Sequence, residues 1–175
     1  MKQNPIIGCM RWGVWGENFS TAQYDKIINQ CLEIGLTQFD HADIYGHYTT
    51  EADFGNALKN NPSLRGKMQL ITKTGIQMLT PNRPQHAIKS YNTSAIHIKE
   101  SVETSLKNLQ TDYLDTLLIH RPDILLNPIE VAECIAQLKK EGKIKNFGVS
   151  NFTTSQVELL AEHTSIEHHQ VEISV

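Results

Sequence analysis

A parallel α/β protein is the fold class this sequence predicts, and three observations predict it. Short apolar runs alternate with amphipathic stretches of helical period, strand then helix five times over, and a sixth strand ends the series. Four of these runs lead into polar side chains able to do chemistry. Phe39 leads into Asp40, Leu70-Ile71-Thr72 into Lys73, Leu117-Leu118-Ile119 into His120, and Phe147-Gly148-Val149 into Ser150 and Asn151. The third observation is topological: in a parallel sheet all such ends share one edge, where α/β proteins bind ligands. One polar site built from distant segments is therefore expected. Periodicity alone leaves a closed barrel and an open sheet as alternatives.

Taken in order, Pro5 to Met10 reads as a weak first strand, followed by a glycine-containing loop, Arg11 to Phe19. Trp12, Trp15 and Phe19 in that loop either wall a pocket or cover the edge of the core. Ser20 or Thr21 caps a helix running to about Gly35, with Tyr24, Ile27, Ile28, Cys31, Leu32 and Ile34 as its apolar stripe. Strand two, Leu36 to Phe39, runs directly into Asp40-His41-Ala42-Asp43-Ile44-Tyr45-Gly46. A helix from Glu51 to about Lys59 carries Phe54, Ala57 and Leu58 inward, and Asn61-Pro62 and Arg65-Gly66 punctuate the passage to strand three, Met68 to Lys73.

The polar stretch from Gly75 to Ile96 is long for a structureless connection, which points to a lid or binding loop, with a disordered insertion as the alternative. A helix from Ile98 to Leu109 presents Val102, Ser105, Leu106 and Leu109. The strand Leu117 to Ile119 then delivers His120 and is stopped by Pro122, which has no N–H for a ladder. Helix Pro128 to Lys140 begins on a tolerated proline and buries Val131, Cys134, Ile135 and Leu138. Strand five spans Asn146 to Val149, Thr153 or Thr154 caps a helix to about Ala161, and strand six is centred on His169 to Glu172.

Composition narrows the partners. The chain has 175 residues, enough for one domain with a substantial core, and its 16 basic and 19 acidic residues give a net charge of -3. That balance supplies no general attraction to nucleic acid or an anionic membrane and leaves a small-molecule partner open. Cys9, Cys31 and Cys134 are odd in number and sit in or beside apolar runs, as free core thiols of a reducing compartment do. No run of the sequence is long and apolar enough to span a membrane, and no secretory leader is visible. A cytoplasmic setting is the expectation.

The first strand, Asp40-x-Ala42-x-x-Tyr45-Gly46, Lys73, His120-Arg121-Pro122 and Gly148-Val149-Ser150-Asn151-Phe152 occur in an order that resembles the aldo-keto reductase family along essentially the whole chain. The chain is most similar to a little-characterised bacterial branch of NADP-linked oxidoreductases. The resemblance implies a (β/α)8 TIM barrel that reduces an aldehyde or ketone with NADP(H). It further implies a catalytic set of Asp40, Tyr45, Lys73 and His120, with Ser150, Asn151 and Gln170 holding the nicotinamide carboxamide. His169 departs from the family pattern, where asparagine commonly precedes the glutamine. Only about the first six strands of such a barrel are present, so residues 1–175 are expected to be the N-terminal portion of a single barrel domain, either a fragment of a longer enzyme or a truncated and inactive product.

The chemistry of the residues suits those roles. A phenol stays protonated near neutral pH and donates better when a cation stabilises its phenolate, which Lys73 would supply to Tyr45. Asp40 would fix the Lys73 ammonium, and His120 would donate toward a carbonyl oxygen. Asp43 reads either as a supporting carboxylate or as a loop hydrogen-bonder, and Arg121 and Asp123 as a pair beside the site or a cap on the loop. His163, His168 and His169 are close in sequence, but neighbours in a strand face opposite ways, so no metal site is expected. The alternatives to a reductase are a nicotinamide-binding or regulatory protein on the same scaffold, and a lyase or isomerase in an ordinary barrel.

Overall fold

The computed structural model describes residues 5–173. Its main sheet has six parallel strands, β1 (Ile7–Gly8), β2 (Gln38–Asp40), β3 (Gln69–Thr74), β6 (Leu114–Ile119), β7 (Ile144–Ser150) and β8 (His168–Gln170), in the spatial order β1-β2-β3-β6-β7-β8. The helices between them are α1 (Thr21–Glu33), α3 (Thr50–Asn60), α4 (Ala95–Leu109), α5 (Pro128–Lys140) and α6 (Thr154–Ala161). A single irregular turn, α2 (Tyr45–Tyr48), precedes α3. Two further short strands, β4 (Ile76–Gln77) and β5 (Ser90–Tyr91), pair antiparallel to each other outside the main sheet.

The strand order decides between the two parallel architectures. A doubly wound open sheet reverses its order and covers both faces with helices. Here the strands follow one another in chain order without reversal. The register places Phe39 beside Leu70, and Leu117 between Thr72 and Phe147. Those four apolar strand residues pack in one core cluster with Tyr24 and Ile28 of α1, Phe54 of α3, Val102 of α4 and Val131 of α5. The opposite face carries Asp40, Lys73, Ser150 and Gln170, with Ser150 paired to Gln170, and the Gln170 amide of β8 reaches Asp40 of β2 at 2.9 Å. Helices on one face, and a sheet curled until its second and sixth strands touch, are features of a barrel.

Local chemistry explains where most elements begin. Ser20 makes a capping box with Gln23 at the start of α1, Asn127 accepts from Ile129 and Glu130 at the start of α5, and Thr153 caps α6. Helix α4 starts at Ala95, three residues before the apolar period suggests, because the Ser94 side chain caps it. The α1 stripe ends sooner than expected, with Ile34 beyond the helix and 74% exposed. Strand β6 starts three residues before its Leu117–Ile119 centre and contains the buried Asp115. That carboxylate is tolerated because Arg65 reaches it at 2.7 Å, Leu70 N–H at 2.9 Å and Lys145 at 3.1 Å. The Gly75 to Ile96 stretch is ordered rather than structureless: besides the β4–β5 pair it holds a Thr80–Arg83 bridge.

Candidate active site at the carboxyl ends of the strands

Continued pairing past the end of β2 sets the first residues of the site. His41 N–H donates to the Ile71 carbonyl and Asp43 N–H to that of Lys73, so the segment after Asp40 runs beside β3 before turning. The turn is severe. Gly46, His47 and Tyr48 have φ of 59°, 57° and 71°, three consecutive left-handed residues immediately after Tyr45. Glycine is required at the first because a Cβ there would stand 2.4 Å from Thr50 Oγ1. Tyr48 pins this turn to the excursion beyond β3, donating its hydroxyl to the Ile76 carbonyl at 3.3 Å and accepting from Met78 N–H at 2.9 Å.

All seven residues implied by the family resemblance line one cavity of about 230 Å³: Asp40, Tyr45, Lys73, His120, Ser150, Asn151 and Gln170. At its centre the Lys73 ammonium donates to Asp40 Oδ2 at 2.6 Å, to the His41 carbonyl at 2.9 Å and toward the Tyr45 hydroxyl at 3.3 Å. The Tyr45 and His120 rings meet edge to face with centroids 6.0 Å apart. Gln170 Nε2 donates to the remaining Asp40 oxygen, Oδ1. Asn151, at φ 55°, donates from Nδ2 to Ser150 Oγ at 3.2 Å and accepts from Glu172 N–H at 2.8 Å. Its side chain therefore braces the loop after β8 and leaves the capping of α6 to Thr153.

Burial governs the protonation states. It drives the His120 imidazole down to about 3, helped by the positive charges of Lys73 and Arg121, so the ring is neutral at physiological pH. The Lys73 ammonium is pulled below its ordinary value by burial, and Asp40 opposes that pull. The Tyr45 phenol is raised, first by burial and then by the Asp40 carboxylate. The sequence suggests a phenol acidified by Lys73. In the folded site burial and then Asp40 raise the phenol, with Arg121 pulling the other way, and it is protonated at neutral pH.

The open questions about neighbouring residues resolve individually. Trp12 packs on Phe39, Tyr24 and Phe54 and so belongs to the core, whereas Trp15 stands beside Tyr45 and His47 at 6.2 and 5.3 Å. Asp123 caps its loop, accepting from Leu125 N–H and the Thr93 hydroxyl, while Arg121 lines the cavity. Asp43 turns away from it to accept from Ser101 on α4 at 2.9 Å. One contributor escaped the sequence reading: the His41 backbone carbonyl on Lys73, which has no side-chain signature. Arg121, read from the sequence as either beside the site or capping the loop, stands on the cavity wall.

This fold and site define the chain as part of a (β/α)8 barrel with a polar centre at the carboxyl ends of its strands. It belongs to the aldo/keto reductase family, whose family model matches residues 6–175. It is 48% identical over 171 residues to the uncharacterized oxidoreductase YcsN of Bacillus subtilis, covering 97% of this chain and 56% of the relative. Oxidoreductase YdhF of Escherichia coli is 46% identical over 165 residues, with 93% and 55% covered. Among solved structures, aldo-keto reductase AKR11C1 from Bacillus halodurans in its holo form superposes with a TM-score of 0.80 at 28% identity, covering 97% of this chain and 53% of that one. The glycerol dehydrogenase AKR11B4 from Gluconobacter oxydans gives 0.81 at 26% identity, with 95% and 50% covered. The chain spans about half the length of these relatives.

Proposed function

We propose that this chain supplies the proton-transfer centre and the nicotinamide cradle of an NADP(H)-dependent carbonyl reductase. The observation that carries the reading is the position of the Lys73 ammonium, 2.6 Å from Asp40 and 3.3 Å from the Tyr45 hydroxyl, in a cavity that His120 also lines. Residues 1–175 are in this reading the N-terminal portion of a single barrel domain. The three cysteines, all unpaired, suit a reducing, cytoplasmic setting. No helix among the described residues is long and apolar enough to cross a membrane.

A nicotinamide carboxamide presents one donor group and one acceptor, and the cradle has matching atoms to spare. Asn151 Nδ2 has two N–H groups and uses one on Ser150; Gln170 uses its Nε2 on Asp40 and keeps its carbonyl oxygen. When bound, the reduced cofactor supplies hydride to the carbonyl carbon. The residues of this chain manage the oxygen. His120, neutral, orients it by hydrogen bonding, and Tyr45 gives up its proton as the alkoxide develops. The phenolate left behind is met by Lys73, which Asp40 and the His41 carbonyl keep in place.

The test is reduction of an activated aromatic aldehyde by the chain alone and by a chimera in which the C-terminal half of the Bacillus subtilis relative continues it. Loss of nicotinamide absorbance is followed with NADPH and with NADH. The expected result is turnover by the chimera, faster with NADPH, and little by the chain alone. A folded chimera that binds NADPH yet reduces no aldehyde or ketone would count against the reading and favour a nicotinamide-binding regulator.

A further inference from the structure

The candidate active site carries one cation that the proton-transfer chemistry leaves unused. Arg121 follows His120 at the carboxyl end of β6, is half-buried, and lines the same cavity as Tyr45 and Lys73. Lys73 is matched by Asp40 at 2.6 Å, so those two charges cancel within the site. Arg121 has no such match: among the described residues no acid forms an ion pair with it. The nearest acid along the chain, Asp123, spends one oxygen on Leu125 N–H at 3.0 Å and the other on the Thr93 hydroxyl at 3.1 Å. The one further acid on the cavity wall, Glu172, follows β8, two strands along the sheet from β6.

The field of this guanidinium falls on the reacting groups. Burial comes first in holding the His120 imidazole down to about 3, and Lys73, Arg121 and Lys89 add to it in that order. Burial and Asp40 raise the Tyr45 phenol, and Arg121 pulls against them. Lys89, exposed just before β5, also forms no ion pair among the described residues. Two unmatched cations therefore act on the histidine that would orient a carbonyl oxygen. Their place is not that of the nicotinamide cradle. Ser150, Asn151 and Gln170 stand at the ends of β7 and β8, whereas Arg121 and Lys89 belong to the end of β6 and the β4–β5 excursion.

We propose, resting on the reductase reading of this site, that Arg121 selects carbonyl substrates that also carry a carboxylate, gripping that group while Tyr45 and His120 hold the carbonyl oxygen. A planar guanidinium presents paired N–H donors that match the two oxygens of a carboxylate. The same charge discriminates against neutral substrates. A neutral molecule filling the cavity strips water from Arg121 and returns nothing, while a carboxylate replaces the lost hydration with charge-assisted hydrogen bonds. Lys89 stands in solvent, so its part is attraction at longer range, weakened by salt.

The experiment measures a preference rather than a rate. The chimera described above is assayed with NADPH and the ortho, meta and para formylbenzoates, each against the formylbenzamide of the same shape. At least one acid is expected to exceed its amide in kcat/KM by about tenfold or more, chiefly through KM. Arg121→Gln should bring that ratio close to one, Arg121→Lys should keep part of it, and Lys89→Gln should lower it by about two- to threefold. General damage to the site lowers both members of a pair and leaves the ratio standing. A ratio near one for every isomer in the parent, or a ratio that survives Arg121→Gln, overturns the proposal; survival together with weakened NADPH binding would assign the guanidinium to a cofactor phosphate instead. A chimera that reduces none of these aldehydes defeats the reductase reading separately, and the carboxylate site is then judged by binding. Trp15 stands 6.2 Å from Tyr45, so its indole signal in two-dimensional NMR of the 175-residue chain reports on the cavity. It should shift saturably with a formylbenzoate, about tenfold more weakly after Arg121→Gln, and an equal response to acid and amide overturns the proposal.

Discussion

Replacing Lys73 with methionine tests how the candidate active site is held together. The ammonium side chain is 3% exposed and its Asp40 partner 15%, and they meet at 2.6 Å with the His41 carbonyl as a third member. Removing one half of a buried ion pair leaves the other charge uncompensated and costs roughly 3–5 kcal/mol. Two features moderate the loss here. Asp40 keeps the Gln170 N–H on its second oxygen, and its partial exposure admits water, so about 3 kcal/mol is expected. The double variant Asp40→Leu/Lys73→Met removes both charges and should recover most of that loss, because an apolar pair of similar volume avoids the desolvation of two ions. Urea unfolding of the purified chain, followed by circular dichroism with the slope compared between variants, measures all three. A single variant that costs less than about 1 kcal/mol, or a double variant no more stable than Lys73→Met, would refute the argument that this largely buried pair depends on mutual compensation of its charges.

Further expectations follow from particular residues. Burial holds His41, like His120, at about 3 against an ordinary 6.5, so the unfolded chain takes up protons first. Stability should be full above about pH 6.5 and fall as pH drops, by up to about 1.4 kcal/mol per unit for each ring. A His41→Leu chain should unfold at lower pH than wild type in an acid titration, and an unchanged midpoint would contradict this. Asp43 has the opposite sign: held at about 8 against an ordinary 3.8, its contribution is complete in acid and lost as pH rises between those values. Asp43→Asn should therefore gain on wild type between about pH 5 and about pH 8 in urea unfolding, and a pH-independent difference would be the wrong result. Gly46→Ala forces a left-handed alanine against Thr50 and should cost about 1–2 kcal/mol by thermal or urea unfolding, where a neutral outcome would show that the turn after Tyr45 relaxes freely.

The parallel sheet was legible because the central strands β3, β6 and β7 are largely buried apolar runs and most helices have a clear stripe. Barrel against open sheet was not legible from periodicity, because it depends on strand order and on which face the helices cover; the family resemblance supplied that choice, and the spatial order β1-β2-β3-β6-β7-β8 supports it. The residues of the candidate site stood out as polar groups ending apolar runs, and the fold gathers Asp40, Tyr45, Lys73, His120, Ser150, Asn151 and Gln170 around one cavity. Their hydrogen bonds were less readable. That the Gln170 amide lies on Asp40, or that Asn151 braces Glu172, depends on the curl of the sheet and on a left-handed backbone at Asn151, neither of which leaves a mark in residue order. The burial of Glu51 was hidden for a related reason. An acid in the first turn of a helix reads as an ordinary solvated charge, and only the packing of α4 shows it to be enclosed.

The central claim is that Tyr45 delivers a proton to a carbonyl oxygen while the rest of the cavity aligns the cofactor. Single-turnover reduction of an aromatic aldehyde by the chimera and its Tyr45→Phe variant, at saturating NADPH, tests it most directly. Phenylalanine keeps the ring and removes only the hydroxyl, so NADPH affinity and folding should be retained while the rate falls by roughly two to four powers of ten. A Tyr45→Phe variant that binds NADPH normally and turns over within a fewfold of the parent would contradict the account.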